Sequence, residues 1–239
     1  MGMRVPLIAG AFFLAACGPG ADARGDASTG PATLNETAAE SPAAAPRAAT
    51  DMLLVVHEGT GEDPASTREI RFWSGGNRIA RIDGQRRMIG DVAANKLYMV
   101  NDETRGCSSL DLRDAEHDPE ALEAAVKAVE FRRTGRTERI GDWPAEVHET
   151  SSAAGGMPMR LTVWISDAIP VDVATRAYSE RSASPETAWL LAMLDLGGYP
   201  VRQEVQFGSM RSWSELKSIE KRPAPIGIYE VPTGYTGCE

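Results

Sequence analysis

Met159-Arg-Leu-Thr-Val-Trp-Ile-Ser166 is the stretch that decides the fold. Met159, Leu161, Val163 and Ile165 fall on every second position, so one face of the segment is apolar throughout. That period is the period of a half-buried strand. A strand of this kind belongs in an antiparallel sheet with one packed face. Val201, Gln203, Val205 and Phe207 repeat the pattern, with Gln203 the polar exception. Arg202, Glu204 and Gln206 face the other way.

Outward from these two, short strand-like runs dominate. Before them come Met52–His57, Arg68–Trp73, Asn77–Asp83, Arg86–Val92 and Lys96–Val100. Gly59, Gly61, Gly75-Gly76, Asp83-Gly84 and Ala94-Asn95 punctuate these runs as turns. Phe131–Ile140, Ala145–Ser151 and Ser212–Lys221 complete the set. Two helices interrupt it. Asp118-Pro119-Glu120 starts one, with an N-cap acceptor, Pro at the first helical position and an acid in the first turn. Leu122, Val126 and Val129 recur along it at helical spacing. Ser184-Pro185-Glu186 starts the other, which carries Trp189, Leu190, Met193, Leu194 and Leu196 and stops at Gly197-Gly198. A shorter helical turn is expected over 171–180. The layout is α+β: a sheet with one face covered by apolar helices.

The start of the chain has a different logic. Met1-Gly-Met-Arg4 is a short positive region, and Val5–Ala16 is an apolar run of 12 residues, too short to span a bilayer. It ends in Leu14-Ala15-Ala16-Cys17, which resembles the lipobox of bacterial lipoproteins. By that resemblance residues 1–16 are a signal peptide cut between Ala16 and Cys17. Cys17 would then carry a thioether diacylglycerol and an N-linked acyl chain such as palmitate. Two or more chains hold a protein stably at a membrane, where one does not. Gly18 follows the cysteine, where an inner-membrane protein of this class often has Asp. The expected location is therefore the periplasmic side of the outer membrane. Residues 17–50 combine the lipidated Cys17 with a tether rich in Ala, Gly, Pro, Ser and Thr. Leu34 is its one large apolar side chain, too little to offset the entropy of ordering. Residues 51–239 read as a single domain.

Three segments of that domain resemble uncharacterised envelope proteins related to the lipoprotein-carrier superfamily, the LolA/LolB-like proteins. They are Ile140-Gly-Asp-Trp-Pro-Ala-Glu-Val-His148, Leu161-Thr-Val-Trp-Ile-Ser166 and Ile219–Tyr235, which closes on Val231-Pro-Thr-Gly-Tyr235. The resemblance implies a curved antiparallel sheet, a half-open barrel, with two or three helices on its concave side. In the carriers that cavity takes acyl chains. No catalytic set comes with the family, and a chain fixed by Cys17 could not shuttle across the periplasm.

Chemistry is otherwise sparse. The only histidines are His57, His117 and His148, and no metal site, cofactor site or catalytic motif is expected. Ser214-Glu-Leu-Lys217 matches a bare Ser-x-x-Lys, but on a strand the Lys could not turn back to the Ser. Cys107 and Cys238 remain once Cys17 is acylated. An oxidising periplasm favours a bridge between them, two free thiols being the alternative. The formal charge of -9 argues against nucleic acid as a partner. Arg68, Arg71, Arg78, Arg81, Arg86 and Arg87 form one basic run, and Arg132, Arg133, Arg136 and Arg139 another. They are expected to pair with acids across strands, the alternative being contact with anionic headgroups. Trp189, Leu190, Met193 and Leu194 are either core or the lining for an apolar ligand. The sequence thus points to a membrane-anchored, non-enzymatic envelope module that binds an acyl chain or other apolar ligand. The other reading is an interaction or scaffolding protein with no small ligand, its protein partner unknown.

Overall fold

The structure, a computed structural model, describes residues 51–112, 118–154 and 157–238; for 152–154 and Met157 it describes the backbone alone. The signal peptide, Cys17, the tether and His117 lie outside the described residues.

Among the described residues eleven strands form one antiparallel sheet. They are β1 (Met52–Thr60), β2 (Arg68–Gly75), β3 (Arg78–Asp83), β4 (Arg86–Asp91), β5 (Lys96–Asn101), β6 (Gly106–Asp111), β7 (Arg132–Ile140), β8 (Trp143–Ala154), β9 (Met157–Ser166), β10 (Tyr199–Phe207) and β11 (Met210–Lys221). Their spatial order is β6-β5-β4-β3-β2-β1-β11-β10-β9-β8-β7. The chain therefore runs two meanders and joins them where β11 returns beside β1. β6 and β7 are the two edges and do not pair with each other, so the sheet is open. Tight hairpins set the registers. Asp83 pairs with Arg86 around Gly84, and Ile140 with Trp143 around Gly141. Both glycines sit at positive φ, which a two-residue hairpin loop needs. Register shifts at Val55/Val56 and at Pro200/Arg202 act as bulges, which add local twist.

Among the described residues there are three helices, α1 (Pro119–Ala128), α2 (Val173–Ser182) and α3 (Ala188–Leu194); α2 and α3 pack on the sheet, and α1 packs against α3. Asp118 caps α1 as its sequence demands, accepting from the N–H groups of Glu120 and Ala121. α2 is a full helix where only a short turn was expected. Its cap is Asp172, which accepts from Thr175 N–H at 2.9 Å. The helix expected from Pro185 instead opens as a 3-10 turn, Pro185–Thr187, and becomes α-helical only from Ala188. The Thr187 hydroxyl accepts from the Ser184 N–H at 2.8 Å, closing that first turn tightly. Strand β6 was not expected at all.

Apolar packing is divided rather than continuous. Trp189 and Met193 of α3 pack on Met159, Leu161, Val163, Ile165 and Val205. Ala174 and Tyr178 of α2 pack on Ile79, Met88 and Leu97. A further cluster gathers Met52, Leu54, Val56, Ile70, Val201 and Leu216 under Ile169.

The last stretch, 222–238, is a strap. The Asp51 carboxylate accepts from Ala224 N–H at 3.1 Å and from the Tyr229 hydroxyl at 3.3 Å. Ala224, Ile228 and Tyr229 cover Leu53, Trp73 and Ala80. The Arg222 guanidinium lies over the Trp73 ring at 5.2 Å, and that of Arg78 over Tyr229 at 5.3 Å. Farther on, the Tyr235 hydroxyl donates to Asp102 at 2.9 Å. Thr236 then bridges to Gly106 at the start of β6, and Cys238 is disulfide-bonded to Cys107 with a Cα–Cα distance of 5.1 Å.

Candidate functional site

Strand registers align a polar row across the sheet. His148 on β8 stands opposite Val163 on β9, and Val163 opposite Gln203 on β10. Gln203 stands opposite Ser214 on β11, Ser214 opposite Glu58 on β1, and Glu58 opposite Arg68 on β2. Residues directly opposite on neighbouring strands share a face. The row therefore lies on the face where Val163 packs beneath α3. Buried polar side chains are rare enough to need a reason. His148, Gln203, Ser214 and Glu58 are each no more than 5% exposed.

Glu58 is the centre of a charged cluster. Arg81 Nη2 donates to its carboxylate at 2.9 Å, and Arg68 stands 3.6 Å from the same oxygen. Asp83 completes the set, 2.7 Å from Arg68 and 3.6 Å from Arg81. The Arg81 guanidinium also lies 5.8 Å from the centre of the Phe72 ring. Burial pushes the Glu58 carboxyl above the ordinary range, and the pull of Arg81 and Arg68 does not fully offset it. At the other end of the row, His148 Nε2 is 3.3 Å from Glu146, which pairs with Arg133 at 3.1 Å. His148 Nδ1 is buried with no hydrogen-bond partner.

The row sits between the two helix covers. α3 lies over the β9–β10 side and α2 over the β2–β5 side, while β1 and β11 run between them with Glu58 and Ser214. Toward the other end of β1 and β2 the same face is apolar, with Val56, Leu54 and Ile70 in one cluster.

The candidate lining residues are placed as follows. Trp189, Met193 and Leu194 are buried, and Leu190 packs against the α3 cluster from its half-buried position. In this structure Trp189 and Met193 fill the space over β9 and β10. A polar cleft of about 380 Å³ lies between the start of β7 and the β8–β9 pair, lined by Arg132, Glu149, Thr150, Ser151 and Arg160 among others. Its walls do not suit an acyl chain.

The basic runs do pair across strands. Arg68 meets Asp83, Arg87 meets Asp102, and Arg132 and Arg136 both meet Glu149. Ser214 and Lys217 lie on β11, where Lys217 pairs with Glu215. Among the described residues no group of three His, Cys, Asp or Glu side chains could hold a metal ion. No helix among them is long and apolar enough to cross a membrane. The Glu58–Arg68–Arg81–Asp83 cluster was missed from sequence. Its signal was there: Glu58 continues the Met52, Leu54, Val56 alternation, so it falls on the packed face, as Gln203 does on its own strand.

The family described as a domain of unknown function, DUF4412, matches residues 75–235. No curated protein matches the chain. Among solved structures, the lipoprotein LppX of Mycobacterium tuberculosis is similar at 13% identity and a TM-score of 0.38, over 73% of this chain and 88% of that one. A LolA superfamily protein from Nitrosomonas europaea is similar at 10% identity and a TM-score of 0.30, over 76% and 90%. A structure of PNGF-II is similar at 10% identity and a TM-score of 0.38, over 74% of this chain, which spans only 29% of that protein. Likenesses at this level carry no argument about function.

Proposed function

Because this chain belongs to the DUF4412 family, whose function is unknown, we propose its role from its own geometry: a lipid-anchored envelope module that takes a single acyl chain or similar apolar ligand against the helix-bearing face of its sheet. The sheet forms a half-open barrel with the helices on its concave side. Cys17 holds the module at the membrane, on the periplasmic side of the outer membrane, with no catalytic step of its own. The observation that carries this reading is the helix-bearing face: α2 and α3 seat on separate apolar clusters, and the strands between them carry a third apolar strip, closed over by Ile169 and ending in a polar row. An apolar strip with a polar end is the complement of an amphipathic ligand, and such sites are largely apolar with a few placed polar groups. The resemblance of three sequence segments to the lipoprotein-carrier superfamily supports the same reading, as analogy.

The test is native mass spectrometry of the mature protein released from membranes, followed by addition of palmitic acid. Retained lipid, or stoichiometric uptake of the added chain, is expected. Empty protein that takes up none would overturn the proposal.

One observation favours the second reading, an interaction or scaffolding protein. Trp189 and Met193 already fill the face under α3. Trp189→Ala separates the two. In a binding module the vacated space increases chain uptake. In a scaffold the substitution lowers stability and uptake stays at zero.

A further inference from the structure

We infer that Pro223, Pro225 and Ile226 at the tip of the strap, with Val173 at the start of α2, dock against the bilayer that holds the chain, so that the end of the sheet carrying Asp51 faces the membrane. The inference rests on the lipid-anchored reading and adds how the domain is oriented on its anchor. Three observations lead to it. First, the tip is apolar and stands in water. Ile226 is fully exposed, Pro223 and Pro225 beside it are exposed, and Val173 is largely so. Second, the tip is held in place. A single exposed apolar side chain needs no explanation, but this one is presented by a fixed turn. Ile228 N–H donates to the Pro225 carbonyl at 3.2 Å and Gly227 sits at positive φ, the pattern of a type II turn with Ile226 at its corner. Asp51 ties the strap on both sides of that turn. Its carbonyl accepts from Arg222 N–H at 3.1 Å, and its carboxylate from Ala224 N–H and the Tyr229 hydroxyl. A corner already ordered loses little freedom on docking. Third, Asp51 is the first described residue, where the segment from Cys17 enters the domain. Fully extended, residues 18–50 span at most about 115 Å. Contact with the bilayer is then intramolecular, and a small apolar surface suffices.

Val173 belongs to the same end of the sheet. Ile169 and Val171, which lead into α2, pack with Met52 at the start of β1. Burial foremost, then Asp51 and Asp172, hold the Tyr229 hydroxyl above its ordinary pKa, so the cap of α2 stands near the strap. Charge does not drive the contact. Arg222 lies over Trp73 and 3.6 Å from Glu220, Arg78 lies over Tyr229, and the acids Asp51, Asp172 and Glu230 flank the same segments. The contact is therefore with the apolar margin of the bilayer rather than with headgroup charge. Met210, half exposed, stands at the other end of β11, about 35 Å along the strand, and stays in water.

The experiment reconstitutes the mature lipidated protein in phosphatidylcholine vesicles that include a phosphatidylcholine with a diazirine on its acyl chain. After illumination, the labelled positions are mapped by mass spectrometry. Label is expected at the Cys17 peptide and on the strap at residues 223–229, with none at Met210. Ile226→Ser combined with Val173→Ser should abolish the strap label and leave the Cys17 label unchanged. Both positions are exposed, so the thermal midpoint should stay that of wild type. Adding phosphatidylglycerol should leave the strap label unchanged. Label at Cys17 with none on the strap, or with label at Met210 in its place, overturns the docking inference and leaves the anchored reading standing. Strap label that survives the double substitution, or that requires phosphatidylglycerol, also overturns it. Label at neither Cys17 nor the strap overturns both.

Discussion

Gly75 and Asp51 make one of the least forgiving contacts in the molecule. A Cβ at Gly75 would overlap the Asp51 carboxylate, which is fixed by the Ala224 N–H and the Tyr229 hydroxyl. Gly75→Ala should therefore displace Asp51 and loosen the strap. Faster amide exchange at Ala224, whose N–H donates to Asp51, is the expected readout. Unchanged exchange would show that the strap is held without Asp51. Glu58 gives a prediction of opposite character. Its folded-state pKa lies above the unfolded value, so the native state binds the extra proton. The stability it contributes is present at low pH and falls as pH rises from about 4.5 through the raised pKa. Urea unfolding across that range should show wild type losing stability relative to Glu58→Gln as pH rises. A flat difference would mean that Arg81 and Arg68 fully offset the burial of this carboxylate. Both residues were partly legible from sequence. Glu58 breaks an apolar alternation, and Gly75 precedes a second glycine at a turn. What they touch was not legible, because their partners lie on other strands or in the C-terminal strap.

At the scale of elements, α3 matters most. It has seven residues, yet Met193 is fully buried and Trp189 nearly so. Met193→Ala should cost about 2–5 kcal/mol by removing buried methylenes and leaving a cavity. Thermal unfolding measures it, and a shift of less than a degree would place α3 outside the core. The sequence located this helix well, since Trp189, Leu190, Met193 and Leu194 are spaced for it. Its start was misplaced because Ser184, Pro185 and Thr187 close a tighter 3-10 turn through side-chain hydrogen bonds. β6 was invisible for another reason. Gly106-Cys-Ser-Ser-Leu-Asp111 has no β-branched or aromatic residue, so it carries no strand signal. It is a strand because β5 pairs with it throughout and because Thr236 bridges to Gly106.

At the scale of the whole molecule, the disulfide and the anchor act over the longest distances. The Cys107–Cys238 bridge closes a separation of 131 residues. The chain-entropy account of such a loop gives about 5 kcal/mol, reduced by any strain in the native state. Cys238→Ser should lower the denaturant midpoint and free the strap from the edge strand, read as added exchange at residues 104–110. No change in midpoint would show that the strap's hydrogen bonds and apolar contacts hold it alone. Cys17→Ala should move the protein out of the membrane fraction, or leave it there with its signal uncut, and either way remove the acyl mass. A variant that keeps the acyl mass would exclude Cys17 as the lipidated residue.

The sequence by itself determined the strand period, most strand positions, the Asp118 cap, the apolar helix and the expectation of a lipidated Cys17. All of these depend on residues close in the chain. Only the tertiary structure decided that Glu58, Ser214, Gln203 and His148 form one buried row, that Arg81 turns to Glu58, and that α2 is a full helix over β2–β5. Those outcomes depend on register between strands far apart in sequence, on where β11 returns, and on which face two bulges leave for the helices to cover. A polar residue at an apolar position is visible in a single strand. Its partner is chosen by the sheet.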